Sequence, residues 1–149
     1  WGFNLQDNSH KSKKELIQYL VKASGHGTNL LLNVGPMPNG KIQSNHISSL
    51  KEIGNWLTKN GETIYNTSQG PILPTEEYVS TQKQNKIYLH IINPKKNTLF
   101  IDSFTKKIKK IKYFDSNKKV NYNQNKFGLI IDLSNKIIDP IDTIIEIEL

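Results

Sequence analysis

The sequence contains no cysteine and no arginine: all 20 basic residues are lysine. Without a thiol there is neither a disulfide framework nor a thiolate zinc site, so the fold must be held by its core alone. Without arginine the bidentate fork that reads guanine and clamps phosphate is missing. That argues against a nucleic-acid partner despite a net charge of +7 and a pI near 9.5. Long apolar runs are absent too; none approaches the roughly 20 residues that cross a bilayer, and no membrane partner is expected. The four histidines, His10, His26, His46 and His90, do not fall at ligand spacing, so all four read as structural or surface residues. What remains is the balance of a globular protein, with 36% hydrophobic and 22% charged residues over 149 positions. Because the first residue is Trp1 rather than Met, the natural start is expected to lie upstream.

The stretch Thr28-Asn29-Leu30-Leu31-Leu32-Asn33-Val34-Gly35-Pro36 is apolar without alternation. Set between Gly27 and Gly35-Pro36, it predicts a strand over 29–34 that is buried on both faces and opens into a polar loop at its carboxyl end. Helices are predicted on either side. Ser12-Lys13-Lys14-Glu15 has the form of a capping box, starting a helix with Leu16, Ile17, Leu20 and Val21 on one face and Gly25 as its stop. A second helix, from about 44 to 59, carries Ile47, Leu50, Ile53 and Leu57 and ends at Asn60-Gly61, with Gly54 placed for close packing. A doubly buried strand with two open edges cannot stand alone, so residues 1–68 are expected to be the carboxyl-terminal part of a parallel barrel or sheet whose earlier strands belong to the same polypeptide upstream.

Beyond Tyr65 the helical period stops. Residues 69–76, with Gly70, Pro71 and Pro74, read as a linker. Strands are predicted over 78–81, 86–93, 98–104, 108–115, 120–123, 127–133 and 142–149, a spacing that suggests an antiparallel β-sandwich over 77–149. Ile145, Ile147 and Leu149 alternate with Glu146 and Glu148, which predicts one dry and one wet face. The fold class is therefore α/β plus all-β: the last βα units of a barrel, then a sandwich.

In such a barrel the carboxyl ends of the strands carry the site. That face would receive Trp1-Gly2 and residues 33–36. An aromatic there is either a platform for the apolar face of a sugar or simply core, and spacing alone does not choose; Asn33 reads as a loop-bonding side chain. Hydrolysing a glycoside normally takes two carboxyl groups roughly 5 to 9 Å apart. Glu15 is committed to the cap, Glu52 borders a solvent-facing stripe, Glu62 lies past the second helix, and Asp7 is alone in its loop, so no catalytic pair is expected within the chain. The run Lys106-Lys107-Ile108-Lys109-Lys110-Ile111-Lys112 reads as a wet strand face or edge protection. A noncatalytic carbohydrate-binding sandwich with Tyr78, Tyr88, Tyr113 and Tyr122 is the alternative from another class, although tyrosines on strands also serve packing.

Several motifs occur together in order: Trp1-Gly2-Phe3-Asn4, the helix from Lys11-Ser12 to Leu20, Gly27 to Pro36, Leu50-Lys51-Glu52-Ile53-Gly54-Asn55-Trp56-Leu57, and Asn60-Gly61-Glu62-Thr63-Ile64-Tyr65. From Trp1 to about Thr67 this order resembles the end of the catalytic domain of α-L-fucosidases, glycoside hydrolase family 29. The tail around Lys86-Ile87-Tyr88-Leu89-His90 resembles that family's carboxyl-terminal sandwich more loosely. The resemblance implies that residues 1–68 are the carboxyl-terminal part of a catalytic (β/α)8-like barrel, followed by the sandwich, in a retaining exo-glycosidase that removes α-L-fucose from fucosylated glycans through an Asp nucleophile and a separate acid/base, both upstream of this chain. It places Trp1 in the fucose pocket and calls for no cofactor or metal. Two departures, the variant Ser24-Gly25-His26-Gly27-Thr28 and Phe3 in place of a common Tyr, do not touch the chemistry.

Overall fold

The first helix begins where its sequence demands. The Ser12 hydroxyl accepts a bond from the Glu15 amide at 3.2 Å, and the Glu15 carboxylate accepts one from the Ser12 amide at 2.7 Å. In the computed structural model, which describes residues 3–4, 6, 9–134 and 138–149, α1 then runs Lys13–Gly25 and buries Leu16, Ile17 and Val21. The chain leaves it through Gly27 at φ +68°, a backbone conformation that glycine adopts without steric cost. The second helix, α2, spans Ser44–Asn60 and passes into a 3-10 turn at Gly61–Thr63. Only the carboxyl half of its predicted stripe finds a partner: Ile53 and Leu57 pack around buried Trp56, whereas Ile47 and Leu50 remain exposed.

All seven predicted strands form, and an eighth precedes them. In chain order they are β1 (Ser68–Gln69), β2 (Tyr78–Lys83), β3 (Lys86–Ile91), β4 (Thr98–Asp102), β5 (Lys110–Tyr113), β6 (Asn121–Asn125), β7 (Gly128–Asp132) and β8 (Thr143–Glu148). Two antiparallel sheets result, one ordered β1-β2-β3-β8-β5 and the other β4-β7-β6. Their inner faces meet as a sandwich, Ile87, Leu89, Ile91, Ile145 and Ile147 against Leu99, Ile101, Leu129 and Ile131. The stretch 69–76, expected as a linker, is laid along the larger sheet. The Gly70 amide donates to the Ser80 carbonyl at 2.8 Å, the Ser80 hydroxyl to the Ile72 carbonyl at 2.8 Å, and Ile72 is buried in the sandwich core.

The outer face of the larger sheet carries the helices. Ile17 and Val21 of α1 and Trp56 of α2 pack on Val79, Tyr88 and Ile144. This corrects the wet face expected for β8: Glu146 points to that side and is only 5% exposed, held between Lys86 at 3.5 Å and Lys112 at 3.4 Å.

A second correction concerns residues 29–34. Among the described residues this stretch joins no ladder, and Leu31 is 82% exposed. A strand buried on both faces needs a neighbour at its edges and a layer on each side, and this chain supplies neither, because α1 and α2 turn their apolar faces to the sandwich.

Two glycines test this packing in opposite directions. A methyl group at Gly25 would overlap the Val79 side chain, whereas the space at Gly54, expected to be crowded, holds nothing within 4 Å. Gly25→Ala should cost about 1–3 kcal/mol through overpacking, and Gly54→Ala should gain about 1 kcal/mol from helix propensity. Urea denaturation measures both; a shift of the same sign in the two variants would contradict the helix placement.

Candidate functional site

Of the residues singled out from the sequence, Trp1 and Asp7 lie outside the described residues. Asn33 lies in a cavity of about 210 Å³, lined also by Ser9, His10, Leu32, Val34 and His46. Two imidazoles meet there edge to face, their ring centres 5.5 Å apart at 83°. The loop before α1 brings His10, and the first turn of α2 brings His46 together with Asn45, whose side-chain nitrogen lies 2.7 Å from His10 Nε2. The Nδ1 atom of His46 is buried and has no partner. An acceptor and a donor set of this kind suits hydroxyl groups, but among the described residues no carboxylate lines the cavity, so these residues do not by themselves carry a double displacement. Spacing along the chain had separated these histidines; the usable signal was that each sits at the amino end of a helix, and the two helices flank residues 28–36.

A second polar cluster lies beneath the helices. His90 and Asp142 are fully buried, with Nδ1 2.7 Å from Oδ2. Thr81 donates its hydroxyl proton to the Thr63 carbonyl at 2.6 Å and can therefore only accept at its 3.4 Å contact with His90 Nε2. That fixes a proton on Nε2 and leaves the other proton between Nδ1 and the carboxyl. Burial pushes the Asp142 carboxyl above its ordinary range, with His90 pulling the other way. A hydroxyl already spent on a carbonyl in a closed core is no nucleophile, and this trio is a structural network. Gln18 belongs to the same layer, donating through Nε2 to the Ile92 and Ile141 carbonyls at 3.0 and 2.9 Å.

Among the remaining described acids, Asp115 and Asp139 line one cavity of about 420 Å³ with Asp142, and there Asp139 accepts bonds from the Ile141 and Asp142 amides at 2.8 and 3.4 Å. Glu15 is held low by the Ser12 bonds of the cap, and Glu146 sits between two lysines. Glu62, past α2 as expected, accepts a bond from the Tyr88 hydroxyl at 2.7 Å. Among the described residues no group of three or more His, Cys, Asp or Glu side chains is placed to hold a metal ion. Of the four strand tyrosines, Tyr78, Tyr88 and Tyr113 are buried and only Tyr122 is half-exposed. The aromatic surface that motivated a carbohydrate-binding sandwich is therefore mostly core.

The helical layer seated on an antiparallel sandwich superposes on solved structures from a class of glycosidases. The family model "Alpha-L-fucosidase" matches residues 1–62. Human plasma alpha-L-fucosidase is 30% identical over 109 residues, covering 68% of this chain and 23% of that protein. Among solved structures, alpha-L-fucosidase isoenzyme 1 from Paenibacillus thiaminolyticus superposes with a TM-score of 0.87 at 27% identity, over 100% of this chain and 37% of that one. Thermotoga maritima alpha-fucosidase, in complex with a mechanism based inhibitor, gives 0.84 at 26% identity over 99% and 37%. The chain belongs to the alpha-L-fucosidase family and spans about a quarter of the length of the curated relatives it matches.

The Tyr88–Glu62 bond ties the end of the helical layer to the sheet and generates a pH prediction. The Tyr88 hydroxyl holds Glu62 below its ordinary 4.5, with Lys86 adding to it against the cost of burial. Its stabilisation is present above pH 4.5 and lost as the pH falls through the depressed value. Tyr88 itself is pushed well above its ordinary 10 by burial first and then by Glu62, so its share is complete below pH 10 and lost above it. Tyr88→Phe should cost about 0.5–1.5 kcal/mol at pH 7 and flatten both limbs of the stability–pH curve. An acid limb identical to that of the wild type would contradict the bond's role.

Proposed function

We propose that this chain is the carboxyl-terminal part of a retaining exo-α-L-fucosidase that removes terminal α-L-fucosyl residues from glycans. The observation that carries the reading is the match of the whole chain, helices and sandwich together, to alpha-L-fucosidase structures. In this reading residues 29–34 are the last strand of a (β/α)8-like barrel. The exposed leucines Leu30, Leu31 and Leu32 then seat against strands and helices of the upstream polypeptide, as a contiguous apolar patch without a partner suggests. The mouth cavity with Asn33, His10 and His46 faces the carboxyl end of that strand, the side on which barrel enzymes work.

The roles then divide. The parent supplies the Asp nucleophile and the acid/base. This chain supplies Trp1 as a wall of the sugar pocket, the closing strand, and the sandwich that braces the two helices. Retention agrees with the printed description of the Thermotoga relative, whose complex holds a mechanism based inhibitor. The engagement of Glu15, Glu62, Glu146 and Asp142 in the fold supports the division.

The test has two arms. The 149-residue chain should not release nitrophenol from a p-nitrophenyl α-L-fucoside, and the longer protein should, with α-L-fucose as the first product seen by proton NMR. Trp1→Ala in the longer protein should raise KM at least about tenfold, the loss of about 1.4 kcal/mol of sugar stacking. Turnover by the chain alone would place the carboxyl groups within it, and β-L-fucose as first product would overturn retention.

A further inference from the structure

The chain's positive charge is concentrated in one strand-and-turn unit. Seven lysines between Lys106 and Lys119 stand against a single acid, Asp115, a surplus of +6 within a net charge of +7. The unit folds around β5, the edge strand of the larger sheet, and the turn that follows returns to it through a bridge between Lys112 and Lys119. Between them lies a groove of about 320 Å³ lined by Lys109, Lys110, Lys112, Asn117, Lys119 and Tyr122.

Edge protection accounts for part of this. One or two lysines on an edge strand are enough to deter pairing with another sheet. Here Lys109 and Lys112 are already held in place, Lys109 by the Leu149 carbonyl at 2.7 Å and Lys112 by Asn117 Oδ1 at 2.7 Å and by Glu146. Lys110 and Lys119 take no part in the ion pairs of the described residues, which use only Lys86 and Lys112 among the lysines. Both are exposed, and the half-exposed ring of Tyr122 lies on the same groove. Ammonium groups gathered this closely repel one another, and an anion relieves that cost.

We propose that this groove binds a sulfated glycan chain. Spaced point charges beside an aromatic ring match a polymer of sulfated sugar rings: ammonium groups meet the sulfates, and the ring meets an apolar sugar face. Nucleic acid fits less well, because the chain has no arginine for bidentate phosphate or base contacts and the groove offers a single aromatic side chain for stacking. The choice of a glycan over other polyanions rests on the α-L-fucosidase reading, in which the groove would hold an acidic carrier of fucosyl termini. Binding itself involves no fucosyl chemistry.

The experiment is an affinity titration of the chain with dextran sulfate, with neutral dextran and single-stranded oligothymidine as comparison arms. Dextran sulfate should bind and weaken by about tenfold or more between about 50 and 200 mM salt, and neutral dextran should not bind. K110E/K119E should weaken binding by about tenfold or more, while K13E/K14E, the same charge change on α1, should change it by less than about threefold. If K110E/K119E lowers the thermal midpoint, K110Q/K119Q replaces it, with the same order of effect. Three results would overturn the proposal: no binding of dextran sulfate at the lower salt, equal losses in the two charge-reversed variants, or oligothymidine bound as tightly as dextran sulfate. Failure of the parent to cleave a fucoside would leave all three readouts unaffected.

Discussion

Strand β3 is covered on both faces, with Ile87, Leu89 and Ile91 turned into the sandwich and Tyr88 and His90 turned toward the helices. Each buried aliphatic side chain of this kind contributes about 1.5–3 kcal/mol, so neither face can be uncovered without a large loss. The helix-facing side is the more demanding of the two, because it carries polar groups. His90 is satisfied by Asp142 and Thr81, Tyr88 by Glu62, and Glu146 by Lys86 and Lys112. Removing the helical layer would take Glu62 from Tyr88 and the Gln18 bonds from the Ile92 and Ile141 carbonyls, as well as expose Val79 and Ile144. The helical layer is thus part of the sheet's own stability.

Glu15, Glu62, Glu146 and Asp142 are engaged in a helix cap, a joint, an internal pair and a buried His–Asp contact, and the polar groups lining the mouth cavity are amide, imidazole, hydroxyl and ammonium. Such groups orient hydroxyls. What the structure leaves open is the face of Leu30, Leu31 and Leu32.

Much of this was legible from local pattern. The Ser12–Glu15 capping box is a reciprocal bond between near neighbours, and the seven predicted strands follow from alternation broken by turn residues, so both survive without knowledge of the fold. What failed depended on partners. The leucine run was read as a doubly buried strand, yet burial on two faces is a property of neighbours, and the strand that has them is β3. Glu146 alternates as a solvent-facing residue does, and Lys86 and Lys112 on the two flanking strands hold it where it is buried. The cluster of His10 with His46 arises from two helix starts brought side by side, a relation that spacing along the chain does not carry. The family, by contrast, was readable because the motifs from Trp1 to Thr67 recur in a fixed order rather than singly.

The claim on which the rest depends is that the helices and the doubly covered sheet open as one unit while residues 30–34 stand outside it. Native-state hydrogen exchange of the 149-residue chain measures this directly. Amides of Ile17 to Val21 in α1 should exchange with the same opening free energy as those of Ile87 to Ile91 in β3, and amides of residues 30–34 should exchange near the rate of an unstructured peptide. Early exchange of α1 beneath a still-protected β3, or strong protection of residues 30–34, would contradict the account.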